Sequence, residues 1–312
     1  MARLKSIKIQ RFRGIREGVI RDFADVNLLI GRNNSGKSTV AEAISLVCSQ
    51  FGGGDPIGRQ LHGLWAEIRR TSPFGQEAFY KQDQTQPIHI TVDIGGVTVS
   101  LDMPPQAIKS TETPVIRKPW LTEFANHVAV FRPIDGFDQQ IENKLWPQIL
   151  TKRADKSLVR ALNEVFGLKV EQLQLLPNNR FLVLFTDFSI PLDVQGDGAR
   201  AALRCLMMLS SLQGTLFILE EPESHQHPGS LDRFAAAICR QAKEQDVQLL
   251  ICTQSIECVR AFLKASKEAT SEAAVFHLKL DDGLLDATRL TPDAVETLQA
   301  TGVDVRLLEL YA

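Results

Sequence analysis

Apolar positions change their spacing along the chain in a way that predicts strands, turns and helices in succession. Residues 4–13 alternate, Ile7 and Ile9 against Ser6 and Lys8, as a half-exposed strand does. VNLLI (26–30) is a short continuous apolar run ending at a glycine, the pattern of a buried strand. From Lys37 to Cys48, Val40, Ala43, Ile44 and Val47 recur at helical spacing. Strand, glycine-rich turn and helix therefore follow one another directly.

Residues 50–85 are rich in Gly, Gln and polar side chains, with one short helix expected over Leu61–Arg69. PIHITVDIGGVTVSLDMPP (87–105) predicts a hairpin about Gly95-Gly96, and HVAVFRP (127–133) a further apolar strand. Residues 138–176 read as helical, with Leu158, Leu162, Val165 and Phe166 on one face, and RFLVLFTDFSIPL (180–192) alternates like strands. The last third runs helix 198–213, strand TLFIL (215–219), helix 230–245, strand VQLLICT (247–253), helix 255–266. That rhythm predicts a parallel α/β sheet. Its first unit lies far upstream, so the expectation is a core built from 1–50 and 190–312, with 51–189 an inserted β-hairpin and helical lobe.

GRNNSGKST (31–39) fits G-x-x-x-x-G-K-[ST] and sits between an apolar strand and a helix, the context that this phosphate-binding loop requires. Gly31 and Gly36 permit the tight turn, and the backbone N–H groups of Asn33, Asn34, Ser35, Gly36 and Thr39 can wrap phosphates. The Lys37 ammonium reaches terminal phosphates and the Ser38 hydroxyl ligates Mg2+. The pattern thus calls for ATP with Mg2+ as cofactors.

A second feature follows the strand TLFIL, which runs into Glu220 and Glu221 before Pro222. Side chains alternate along a strand, so one glutamate can face Mg2+ and the other an attacking water. By itself such a pair reads as a solvated acidic turn; beside a phosphate loop it reads as a metal-facing carboxylate and a water-facing one. His225 and His227 invite a metal reading, but no third ligand has suitable spacing, and nucleotide-sensing or interface roles suit them better.

Composition narrows the class. The chain has 312 residues, 44% hydrophobic and 23% charged, ordinary for a packed chain and too apolar for wholesale disorder. Lys and Arg number 35 against 37 Asp and Glu, a net charge of −2, which argues against a globally basic nucleic-acid binder. The start MARLKSIKIQRFRG has no apolar stretch of a secretory signal, and no run approaches the ~18 residues of a membrane span. The five cysteines form no C-x-x-C pair and fall mostly in apolar-periodic segments, as buried free thiols do. The expectation is a soluble cytoplasmic chain.

LKSIKIQRFRGI followed by N-x-L-I-G-x-N-N-S-G-K-S-T resembles the ABC-type ATPases of the SMC, RecF and OLD (overcoming lysogenisation defect) group. LFILEEPESHQHP (216–228) is similar to the second nucleotide motif of the OLD-like branch, and Gln195-Gly196-Asp197-Gly198 resembles the group's degenerate signature turn. The resemblance implies a P-loop NTPase of ABC-ATPase type, a mixed sheet with helices, with Glu220 on the Mg2+ side and Glu221 as the general base. It implies a homodimer that sandwiches two ATP molecules, with Gly196, Asp197 and Gly198 on the nucleotide of the other subunit. As a turn in isolation, the same residues read as a helix N-cap. ICTQS (251–255) matches the switch position, with Gln254 where the group usually has His; Gln donates a hydrogen bond but takes no proton. Arg13 matches a basic position close to the nucleotide.

Sustained heptads of SMC arms are absent from the chain, and only a short tail follows the last helix where OLD nucleases carry a Toprim domain. The implied role is an ATP-driven switch regulating a separately encoded effector, a nuclease or toxin, in phage defence. The alternative is a RecF-like DNA-binding repair ATPase, for which Arg3, Lys5, Lys8, Arg11, Arg13, Arg16 and Arg21, with Lys152, Arg153, Lys156 and Arg160, would touch phosphates. Those basic residues read better as a solvated strand edge and an exposed helix face.

Overall fold

The computed structural model describes residues 2–51, 75–104, 124, 128–133, 139–178 and 180–310. The helix expected at Leu61–Arg69 lies outside them. A ten-stranded mixed sheet organises the chain. Its strands are β1 (Leu4–Phe12), β2 (Ile15–Arg21), β3 (Val26–Ile30), β4 (Ile88–Ile94), β5 (Val97–Met103), β6 (Ala129–Phe131), β10 (Leu216–Glu220), β11 (Gln248–Cys252), β12 (Ala273–Asp281) and β13 (Leu284–Leu290). Their order is β5-β4-β1-β2-β13-β12-β3-β11-β10-β6. From β12 to β6 neighbours run parallel, while β5, β4, β1 and β2 form an antiparallel meander. A small second sheet holds β7 (Gln172–Leu175), β8 (Phe181–Leu184) and β9 (Ser189–Pro191).

The parallel strands are buried on both faces, so their sequences are continuous apolar runs rather than alternating ones. Alternate residues feed two cores. Val26, Leu28 and Ile30 of β3 face the core that is covered by α2 (Gln139–Thr151), α3 (Asp155–Phe166), α4 (Asp197–Ser211), α5 (Pro228–Glu244) and α6 (Ile256–Glu268). Leu29 faces the other core, where α1 (Lys37–Phe51) packs Val40, Ile44 and Val47 against β1 and β4. Each fully buried Val, Leu or Ile contributes about 1.5–3 kcal/mol to this packing. All five cysteines are buried and free, and burial alone pushes the Cys48 thiol up to about 12.

Several expectations need correction. The stretch 138–176 is not helical throughout: α3 ends at Gly167, which takes the left-handed conformation at φ 64°, and β7 follows. Of the expected insertion, β4, β5 and β6 are strands of the main sheet, because β4 pairs with β1 and β6 with β10. The basic strand β1 is no sheet edge but lies between β2 and β4. Strands β2, β12 and β13 have no counterpart in the sequence reading.

The hairpin at Gly95-Gly96 is present, with both glycines at positive φ (59° and 79°), as a two-residue turn with this twist requires. No described helix is long and apolar enough to cross a membrane.

Candidate active site

β3 lies inside the parallel region, with β12 on one side and β11 on the other, and its carboxyl end delivers the chain into residues 31–36. Two glycines make that turn possible. Gly31 has φ 138°, and a Cβ there would lie 2.4 Å from the Leu278 carbonyl oxygen of β12. Gly36 has φ 96° and a Cβ would approach Leu285 to 3.2 Å. Asn34, at φ 63°, supplies a third left-handed residue. The loop then enters α1 directly at Lys37.

A cleft of about 560 Å3 opens over this loop. Asn33, Asn34, Ser35, Gly36, Lys37, Ser38 and Thr39 line one wall, and Glu220, Glu221, Cys252 and Gln254 the other, with Gly14 and Leu280. The second wall comes from the carboxyl ends of β10 and β11, so the site sits where parallel strands of an open sheet end.

Lys37 is 8% exposed and folds back on the loop, its Nζ donating to the carbonyl oxygens of Gly31 (2.9 Å) and Arg32 (2.8 Å) and to Ser35 Oγ (3.3 Å). Burial holds its pKa below the ordinary lysine value, opposed by the negative field of Cys252, Glu220, Glu221 and Glu223. The next residue, Ser38, donates through Oγ to Glu220 Oε2 at 2.8 Å. A hydroxyl and a carboxylate held together at the start of α1 are the hard oxygen donors that Mg2+ takes alongside phosphate oxygens. Among the described residues no group of three or more His, Cys, Asp or Glu is placed to hold a metal ion. His227 instead caps α5, its Nδ1 accepting from the Gly229 N–H at 3.0 Å.

Glu221 follows the buried Glu220 at φ 48°, a left-handed conformation that a glutamate adopts only where its surroundings fix it. Its N–H donates to the Cys252 carbonyl (2.8 Å), and Gln254 Nε2 donates to its Oε1 (3.1 Å). Thr253 Oγ1 donates to Glu223 Oε1 at 2.5 Å and accepts from the Ser255 N–H, while Ser255 Oγ caps α6 by accepting from Cys258 N–H. The loop after β11 is thereby stitched to the carboxylate turn at two points. Glu223, Thr253 and the tail residue Arg306, which donates to the Gln254 carbonyl at 3.0 Å, were not singled out by sequence reasoning.

Other expected residues stand elsewhere. Arg13 does not line the cleft; its Nη2 pairs with Glu42 Oε1 of α1 at 2.6 Å, though the adjacent Gly14 does line it. Gly196 is the N-cap of α4 and Asp197 its first residue, also outside the cleft, and a Cβ on Gly198 would lie 2.6 Å from the His225 carbonyl oxygen. The turn thus packs tightly against the segment after the glutamates.

A phosphate-binding loop at the end of a parallel strand, faced by two carboxylates from the end of β10 in a mixed sheet, gives a P-loop fold of the kind seen in SMC heads. In sequence, the chain matches the family described as AAA ATPase domain over residues 3–94 and the one described as AAA domain, putative AbiEii toxin, Type IV TA system, over residues 126–260. In structure it is similar to an SMC head crystallised with the C-winged helix domain of ScpA, with TM-score 0.60, 12% identity, and coverage of 92% of this chain and 98% of that one. The SMC head domain from Thermotoga maritima gives TM-score 0.53 at 15% identity, covering 92% of this chain and 99% of that one. An uncharacterised Methanocaldococcus jannaschii protein, MJECL11, is 24% identical over 112 residues, which is 36% of this chain and 98% of that protein.

Proposed function

We propose that the protein is a Mg2+-dependent ATP hydrolase that dimerises around two ATP molecules and acts as a switch on a separately encoded effector. The observation that carries the hydrolase reading is the contact of Ser38 with Glu220 at 2.8 Å beside the buried Lys37, with Glu221 on the opposite wall. Lys37 would exchange its carbonyl partners for phosphate oxygens, and Ser38 with Glu220 would hold the metal. Bound Mg2+ would neutralise charge developing on the transferred phosphoryl group. Glu221 would accept the proton of the attacking water, with Gln254 orienting its carboxylate. Gln254 donates and takes no proton, so acid–base work falls to Glu221 alone.

The turn at Gly196, Asp197 and Gly198 lies outside its own subunit's cleft, which suits a role on the nucleotide of a second subunit. A helix N-terminus there offers N–H groups and positive partial charge to an anion. The switch reading draws on the match to a family described as putative AbiEii toxin, and an effector nuclease or toxin in phage defence fits that match. The similar SMC head binds ScpA, a protein partner, which accords with a protein rather than DNA as the regulated target. Four of the eleven basic residues on which a RecF-like role would depend are engaged in ion pairs: Arg3 with Asp25 and Asp246, Arg11 with Asp83, Arg13 with Glu42 and Arg16 with Asp282. ATP turnover by the purified chain, abolished in Lys37→Ala and dependent on Mg2+, tests the hydrolase reading. ATP-dependent copurification with the product of a neighbouring gene tests the switch.

A further inference from the structure

We infer that Arg306, in the C-terminal 3-10 segment Val305–Leu310, is a positioning residue that sets the switch loop over the nucleotide cleft. The inference rests on the hydrolase reading above. Gln254 lies in irregular backbone between β11 and α6, with an exposed side chain that must be held if its amide is to stay on Glu221. Thr253 and Ser255 are tied down by their own side chains, and Arg306 supplies the bond at residue 254 itself, Nη1 donating to the Gln254 carbonyl at 3.0 Å.

The guanidinium is fixed before it reaches that carbonyl. Nε donates to Asp304 Oδ1 at 2.9 Å and Nη2 to Asp304 Oδ2 at 2.6 Å, a forked pair that leaves Nη1 aimed at Gln254. The hydrogen-bonded Asp304 carboxylate holds the Arg306 pKa above its ordinary value. The segment in turn is anchored on the sheet. Val305 is fully buried, and Glu309 Oε2 lies 2.9 Å from His277 Nε2 on β12. His277 is the register partner of Ile30, the last residue before the phosphate loop. One short segment therefore touches the strand beside the one that carries the phosphate loop and holds the loop that faces it. A planar fork suits this task in a way that an ammonium does not.

The test is steady-state ATP turnover by the full chain with Arg306→Ala, Gln254→Ala and the double variant. Arg306→Ala is expected to lower kcat about tenfold or more with KM for ATP within about twofold, since displacement of a catalytic contact acts on the chemical step. In the Gln254→Ala background the same substitution is expected to change kcat by less than about twofold, because the side-chain contact with Glu221 that Arg306 supports is already gone. Arg306→Lys, which keeps the charge without the fork, is expected to stay well below wild type; a wild-type kcat in Arg306→Lys would show that the fork is not what matters and would count against the inference. Multiplicative effects in the double variant, or a loss confined to KM, would overturn the inference by showing that Arg306 acts elsewhere. Wild-type kcat in Arg306→Ala would overturn it while leaving the hydrolase reading intact; absence of turnover in the wild type would remove the hydrolase reading itself.

Discussion

Ser38 Oγ donates to Glu220 Oε2 at 2.8 Å although 182 residues separate the two in sequence. The contact exists because β3 and β10 both flank β11 and end at the same edge, so the first turn of α1 and the last residue of β10 meet. Ser38→Ala and Glu220→Gln each remove one proposed metal donor while sparing the loop's shape. Outer-shell losses alone weaken metal sites about 10- to 100-fold, so each variant is expected to raise the Mg2+ concentration for half-maximal turnover by at least about tenfold. A Mg2+ titration of ATPase rate checks this.

Glycines in the phosphate loop and in the turn before α4 respond to different constraints. Gly31→Ala forces a Cβ to 2.4 Å from the Leu278 carbonyl oxygen at φ 138°, and is expected to destabilise by at least about 2 kcal/mol. Gly196 has negative φ and open space around it, so Gly196→Ala is expected to cost about 1 kcal/mol or less as a lost N-cap preference. Denaturant unfolding separates the two. Loss of ATP-dependent dimerisation in Gly196→Ala at near-normal stability would then report the proposed contact across subunits.

Lys37 gives a pH dependence with a definite sign. Burial holds its folded-state pKa below 10.5, so the unfolded chain binds that proton more tightly than the folded one. Unfolding therefore takes up a proton between the depressed value and 10.5, and this group's contribution to stability rises with pH across that window. The stability of the nucleotide-free wild type relative to Lys37→Met is expected to increase as pH is raised toward 10.5. Urea unfolding of both at a series of alkaline pH values tests it; an invariant difference would contradict the burial argument.

The phosphate loop and the glutamate pair were legible because their chemistry is local: a fixed glycine spacing between strand and helix, and two carboxylates at a strand end. β3, β10 and β11 were legible because burial on both faces leaves continuous apolar runs. β2 was not, since Ile15–Arg21 carries Arg, Glu and Gly among its apolar residues. Its Gly18 packs where a Cβ would lie 2.5 Å from Leu285 Cβ of β13, a fact about a strand far away in sequence. β12 holds a buried His277 and ends in polar residues, and its place beside β3 follows from pairing rather than from its own pattern. Arg306 has no local signal: its role depends on a fold that brings the C-terminal segment to Gln254.

The most direct test of the central claim is ATP hydrolysis by Glu221→Gln measured beside its ATP affinity. A general base contributes about 10²–10⁴-fold, so kcat is expected to fall by at least about a hundredfold while ATP still binds and an ATP-bound dimer accumulates on size-exclusion chromatography. Turnover by Glu221→Gln at the wild-type rate, with wild-type ATP affinity, would contradict the assignment of the cleft as a hydrolytic site built around Glu221.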